Sequence, residues 1–139
     1  MIEKLKQQPL KAFTLIELML VVVIIGILAA MVAPRLVGRS ETAKIAAAQS
    51  EINASIALAL DIFETDNDRY PATTEGLQAL ITNPGSLKGW KGPYLKKVPK
   101  DPWGNAYSYT SPGAHNENYD LSSAGANMIE GDHDDISNW

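Results

Sequence analysis

Residues 18 to 33, LMLVVVIIGILAAMVA, are sixteen uncharged, mostly large apolar side chains in a row near the start of a 139-residue chain. A run of that kind is too long and too greasy for the edge of a soluble single-core domain. A membrane-spanning helix needs about 20 apolar residues, and extending the run back through Phe13, Thr14, Leu15 and Ile16 supplies them only by including Glu17. The competing reading is a cleaved secretory signal with Lys4, Lys6 and Lys11 as its charged region. Glu17 inside the apolar stretch and the poor small-x-small site Met31-Val32-Ala33 argue against it. The positive-inside rule does not orient the span, because three basic residues on one side (Lys4, Lys6, Lys11) face three on the other (Arg35, Arg39, Lys44).

Past Pro34 the pattern keeps a helical period. Ile45, Ala48, Ile52, Ile56, Ala59 and Phe63 recur at spacings of three and four with alanines between them, so an amphipathic helix follows the apolar one. Asp66-Asn67-Asp68 and Tyr70-Pro71 end it. A helix from Phe13 to about Asp66 is on the order of 80 Å long at 1.5 Å per residue, with a kink expected at Pro34. Residues 67–139 then read as a small α+β cap. Thr73 or Thr74 is positioned to cap a short helix over Glu75 to Ile81, ended by Asn83-Pro84-Gly85. Ala106 to Thr110 and Tyr119 to Ser122 alternate at period two as antiparallel strands, with Gly92 to Lys96 as a candidate third. The expected core joins Ile52, Ile56, Leu60 and Phe63 to Leu77, Leu80, Leu95, Trp103, Tyr107 and Leu121.

Catalytic patterns are missing from the sequence: it has no GxSxG elbow, HExxH helix, P-loop or GxGxxG, and no cysteine for a thiolate site. His115 and His133 fall on loop-like sequence. A membrane-anchored hydrolase would have to build its site from these two histidines and nearby acids. Charge is segregated instead. Residues 1–100 carry 12 basic and 9 acidic side chains, whereas 101–139 carry seven acids and no Lys or Arg, a tail that repels nucleic acid and attracts cations. Its acids cluster in Gly125 to Asp135. The oxygen donors suit calcium, although the spacing is not that of an EF-hand and a solvated acidic loop has the same pattern. Glu17 is equally open on its residues alone: an acid at the bilayer centre costs roughly 2.5–3.5 kcal/mol and usually pairs, whereas one near the surface snorkels to water.

Two sets of residues carry a resemblance. Lys11-Ala12-Phe13-Thr14-Leu15-Ile16-Glu17, followed by the apolar run and Pro34, resembles the processing site and membrane helix of type IV pilins and pseudopilins. The body narrows it with DNDRYPATTEGLQAL (66–80), VPKDPWGN (98–105), SPG (111–113) and DDISNW (134–139). Together they resemble the major pseudopilin of type II secretion systems, the general secretion pathway protein G family, over essentially the whole chain.

The resemblance implies a type IV pilin-like α+β fold in which a long N-terminal helix packs on a small antiparallel sheet beside a C-terminal calcium loop. It implies a structural subunit, not an enzyme, that polymerises into a pseudopilus driving export of folded proteins across the outer membrane. A type IV pilin or competence pseudopilin is the nearest alternative, disfavoured by the lack of cysteines and by the DPWG and DDISNW segments. Residues 1–12 would be a prepilin leader, 13–34 the transmembrane part of the helix, 35–66 its periplasmic amphipathic part, and 67–139 the cap. A prepilin peptidase would cut between Ala12 and Phe13 and methylate the new Phe13 amine, leaving a single-pass inner-membrane protein with its C-terminal domain in the periplasm. The implied partners are further copies of the chain, minor pseudopilins, the peptidase and the inner-membrane secretion platform, with no nucleic acid. Glu17 would align the incoming subunit through its Phe13 amine. Calcium would be held by the side chains of Asn127, Asp134 and Asp135 and carbonyls near Ala124 and Ile129. The sequence departs from the family at Ala12, where glycine is usual, so slower cutting is expected. It departs again at Asn127 and Met128, where Asp and Gly are usual, so a weaker metal site is expected.

Overall fold

The computed structural model describes residues 13–139, with side chains at 33–38 left aside; the expected leader, residues 1–12, and with it Ala12, lies outside the described residues. Helix α1 runs Leu15–Ser50 without interruption through Pro34. Its N-terminus is built by Thr14 and Glu17. The Thr14 hydroxyl oxygen accepts from the Glu17 amide at 3.3 Å, and a Glu17 carboxylate oxygen accepts from the Thr14 amide and hydroxyl at 2.9 Å each, a reciprocal capping box. The hydrogen-bond pattern changes farther on, where Glu51–Ile56 form a π-helical segment before α2, Ala57–Asn67. Asp68 closes α2 in the left-handed conformation (φ 55°), its amide donating to the Glu64 carbonyl at 2.7 Å, a geometry that short polar side chains tolerate.

The chain divides into two compact units, residues 1–39 and 40–139. In the first, no residue of Leu15–Val32 is buried. In the second, Ile52, Leu60 and Phe63 are wholly buried and Ile56 nearly so, and they cluster with Leu77, Leu80, Tyr107, Tyr119, Leu121 and Ile136. Leu95 and Trp103 pack against that cluster half-buried, so every expected core residue is present.

The sheet is a three-stranded antiparallel meander of β1 (Ser108–Thr110), β2 (Asp120–Ser123) and β3 (Ile136–Ser137). Tyr109 faces Leu121 across β1 and β2, and Ser123 faces Ile136 across β2 and β3. The third strand is therefore Ile136–Ser137 and not Gly92 to Lys96. Pro93 has no amide hydrogen to give a ladder, and the amides of Tyr94 and Leu95 both donate to the Leu80 carbonyl, at 2.8 and 3.2 Å. The short helix is also tighter than expected, a 3₁₀ segment at Gly76–Leu80. Neither threonine caps it by a side-chain bond: Glu75 is its N-cap residue, and the Thr73 hydroxyl exchanges hydrogen bonds with the Ser111 backbone at 3.0 and 2.9 Å. Arg69 holds the segment before it by a two-pronged ion pair to Glu75 at 2.7 and 2.8 Å.

Candidate functional site

Two regions carry the residues singled out from sequence, the entry of α1 and the loop between β2 and β3. At the helix entry Phe13 is 81 % exposed and Glu17 is held by its capping box, which places the acid's carboxylate over the first turn. Thr14 is the residue that sequence reasoning passed over, although the Thr-x-x-Glu spacing ahead of an apolar run is its signature. Around it Leu15 is 77 % and Ile16 is 75 % exposed. Apolar area of that density has no partner within the unit.

The second region is prepared by the DPWG turn. Asp101 is buried, and its carboxylate accepts from the amides of Trp103 and Asn105 at 3.1 and 2.7 Å and from the Ser123 hydroxyl at 2.6 Å. That network fixes the turn against the end of β2. Gly104 adopts φ 92°, a conformation open to glycine, and the Trp103 indole beside it donates to Glu41 of α1 at 2.9 Å. Trp103, Ala126, Asp134, Asp135 and Trp139 line one cleft with Glu41 and Ile45.

The terminal loop then leaves β2 at Ala124 and returns into β3. Gly125 packs so closely on the Asp134 backbone that a side chain there would collide with the Asp134 carbonyl. The Asn127 Oδ1 accepts from the Ile129 amide at 2.8 Å across Met128, which sits at φ 64°, while its Nδ2 donates to Asp132 Oδ2 at 2.7 Å. Asp132 Oδ1 accepts from the Asp134 amide at 2.9 Å. Asp135 Oδ2 accepts from the Gly131 amide at 2.7 Å, and its Oδ1 is buried without a hydrogen-bond partner. Asp134 pairs with the exposed His133 at 3.0 Å. Ligand atoms of Asp132, His133 and Asp134 all lie within 4.8 Å of one another, and of these three only Asp134 belongs to the ligand set that the resemblance implies. Hydrogen bonds from the Asp134 amide and from Asn127 hold the Asp132 carboxyl below its usual range.

The other histidine serves the fold. His115 stacks on Trp139 with centroids 4.2 Å apart and meets Asp120 at 2.9 Å. Burial would raise the Asp120 carboxyl, but the amides of Asn116, His115 and Ala114 and the His115 ring outweigh it and hold the group at about 2. Gly113 makes this possible, because a side chain there would collide with the Asn116 carbonyl and with Asp120.

Comparison with known proteins adds a family. Residues 35–139 match the model of type II secretion system (T2SS) protein G, and residues 11–33 match the prokaryotic N-terminal methylation motif. The type II secretion system core protein G of Pseudomonas aeruginosa is 50 % identical over 134 residues, covering 91 % of this chain and 93 % of that protein. The protein of the same description from Vibrio cholerae is 44 % identical over 142 residues, covering 99 % and 95 %. Among solved structures, the major pseudopilin from the type 2 secretion system of enterohaemorrhagic Escherichia coli matches with a TM-score of 0.67 and 32 % identity, over 75 % of this chain and 89 % of that one.

Proposed function

Because this chain belongs to the type II secretion system protein G family, we propose that it is a structural subunit that polymerises into a pseudopilus and so drives protein export. The observation that carries this reading is the apolar helix Leu15–Val32, of which nothing is buried within the chain. Such a surface needs lipid, neighbouring helices or both. Gly26 with Ala30, and Ala29 with Ala33, are small residues four apart that permit close helix approach. Contacts between copies that do not close on themselves give open filaments rather than rings.

In this reading residues 13–34 anchor the subunit in the bacterial inner membrane and the cap stands in the periplasm, with minor pseudopilins and the inner-membrane platform as further partners. A prepilin peptidase cuts after Ala12 and methylates Phe13. Glu17 acts in assembly: the carboxylate that closes the first helical turn is also the acid that an incoming Phe13 amine can neutralise, which offsets the cost of carrying it into the bilayer. The test is mass spectrometry of the chain from membranes containing the peptidase, together with filament yield. A methylated Phe13 terminus and filaments reduced at least tenfold by Glu17→Gln are expected. An unprocessed chain, or wild-type filament yield from Glu17→Gln, overturns the assignment.

The terminal loop fits calcium on the chemistry of its donors. They are carboxylate, amide and carbonyl oxygens, the set a hard cation takes, and the buried Asp135 Oδ1 lacks any donor. Asn127, Asp134 and Asp135, with the carbonyls of Ala124 and Ile129, would hold the ion. When bound it supplies positive charge among acids that have no Lys or Arg ion pair among the described residues. Calcium at a hundredfold excess over its dissociation constant is expected to stabilise the cap by about 2.7 kcal/mol. Thermal unfolding with calcium and with chelator measures it. Identical curves, unchanged by Asp135→Ala, would remove calcium from the reading.

A further inference from the structure

The loop 124–135 carries Glu130, Asp132, Asp134 and Asp135 within six residues, and like charges at that density repel one another. The loop nevertheless has an internal tie between its outgoing and returning limbs. Asn127 lies on the first and Asp132 on the second, and the Asn127 Nδ2 to Asp132 Oδ2 hydrogen bond of 2.7 Å joins them side chain to side chain. The orientation of the amide follows from its other contact. The Ile129 amide can only donate, so the atom facing it at 2.8 Å is Oδ1, and Nδ2 is left for the carboxylate. Asp132 is in turn oriented by the Asp134 amide on its second oxygen.

Residue type decides whether this tie can exist. Asparagine has one acceptor and one donor end, and the position uses both. An aspartate there could accept from the Ile129 amide but could only meet Asp132 as a second negative charge. A loop built that way would need a cation to bring its limbs together. We propose that Asn127 locks the terminal loop from within, so that the cap of this chain keeps its native loop when no metal is bound. The lock goes beyond the calcium reading and does not depend on it, since it concerns the metal-free chain.

The experiment is thermal unfolding of the full chain in detergent micelles with chelator present throughout, followed by tryptophan fluorescence. Trp103 and Trp139 line the same cleft as Ala126, Asp134 and Asp135 and so report on the loop. Asn127→Asp is expected to lower the midpoint by about 2–8 °C, the shift that loss of one solvent-exposed hydrogen bond worth about 0.5–1 kcal/mol produces in a domain this small. The exchanged pair, Asn127→Asp with Asp132→Asn, restores donor and acceptor in reverse and is expected to recover most of that loss. Asn127→Asp with Glu130→Gln restores only the net charge and is expected to stay low. A wild-type midpoint for Asn127→Asp overturns the proposal. So does an exchanged pair as unstable as the single variant, or recovery by Glu130→Gln, which would reduce the tie to bulk charge repulsion.

Discussion

The two halves of the N-terminal helical region bury their side chains in opposite ways. From Leu15 to Val32 every residue is exposed, large apolar ones included; from Ala48 to Phe63 the positions Ala48, Ile52, Ile56, Ala59, Leu60 and Phe63 are buried. Helical backbone as such does not separate them, since the first is α-helical and the second is α-helical with a π-helical segment at Glu51–Ile56. Pattern does. The second half spaces its apolar residues by three and four, which makes one stripe that a sheet can cover, whereas the first is apolar all round, which no single partner surface in a chain this short can cover. The first half is therefore specified for a solvent other than water, and the second for this chain's own core.

The strongest way to break that comparison is to truncate one side chain in each half. Phe63→Ala removes a fully buried ring that meets Tyr94 edge-on at 5.6 Å and is expected to destabilise the cap by about 3–5 kcal/mol. Leu20→Ala should leave cap unfolding where it was. Urea titrations of both variants in detergent measure the difference, and equal losses would mean that the apolar half is part of the same cooperative core. A smaller loss tests the link between helix and terminal loop. Asp101→Ala strands the Trp103 and Asn105 amides and the Ser123 hydroxyl, at an expected cost of about 1–3 kcal/mol, and the same titration should show it. The last effect is read from its pH dependence, which is confined to acid. The carboxyl of Asp120, ordinarily 3.8, lies at about 2 in the fold, so its contribution is present above its unfolded value and lost as pH falls from about 4 to about 2. Asp120→Asn should flatten the stability profile across that window and nowhere above it. A slope unchanged between pH 4 and 2 would show that the amide cradle does not select the charged form.

How much of this was legible varies with the range of the interaction. The buried helix face, the second strand and most of the first, and the break after Asn67 all follow from local pattern, and the structure has them within two or three residues. Gly92 to Lys96 looked like a strand because Tyr94 and Leu95 are apolar neighbours of a turn. Their amides were already committed to the Leu80 carbonyl, fourteen and fifteen residues away, which no window along the chain reveals. Ile136 was missed as a strand for the converse reason: two residues are too few to show alternation, and only the pairing of Ile136 and Ser137 with Ser123 and Ser122 makes them one. The Thr73 hydroxyl had a suitable place to cap a helix but found the Ser111 backbone instead, 38 residues away. The π-helical turn at Glu51–Ile56 has no sequence signal of which we know; Glu51 there receives the Tyr107 hydroxyl, a contact across 56 residues.

At the candidate sites the same division holds. Composition alone determined that one stretch of this protein belongs in a membrane and that residues 101–139 are acidic without a single Lys or Arg, because transfer free energies and charge add residue by residue whatever the fold. Only tertiary structure decided which acids do what. It buried Asp101 under Ser123, wrapped Asp120 in three backbone amides, and set Asp132 opposite Asn127 while leaving one oxygen of Asp135 without a donor. Seven carboxylates of equal chemistry thus became distinct groups, because hydrogen bonds are directional and reach only about 3 Å, so the partners of each acid depend on where the rest of the chain has packed.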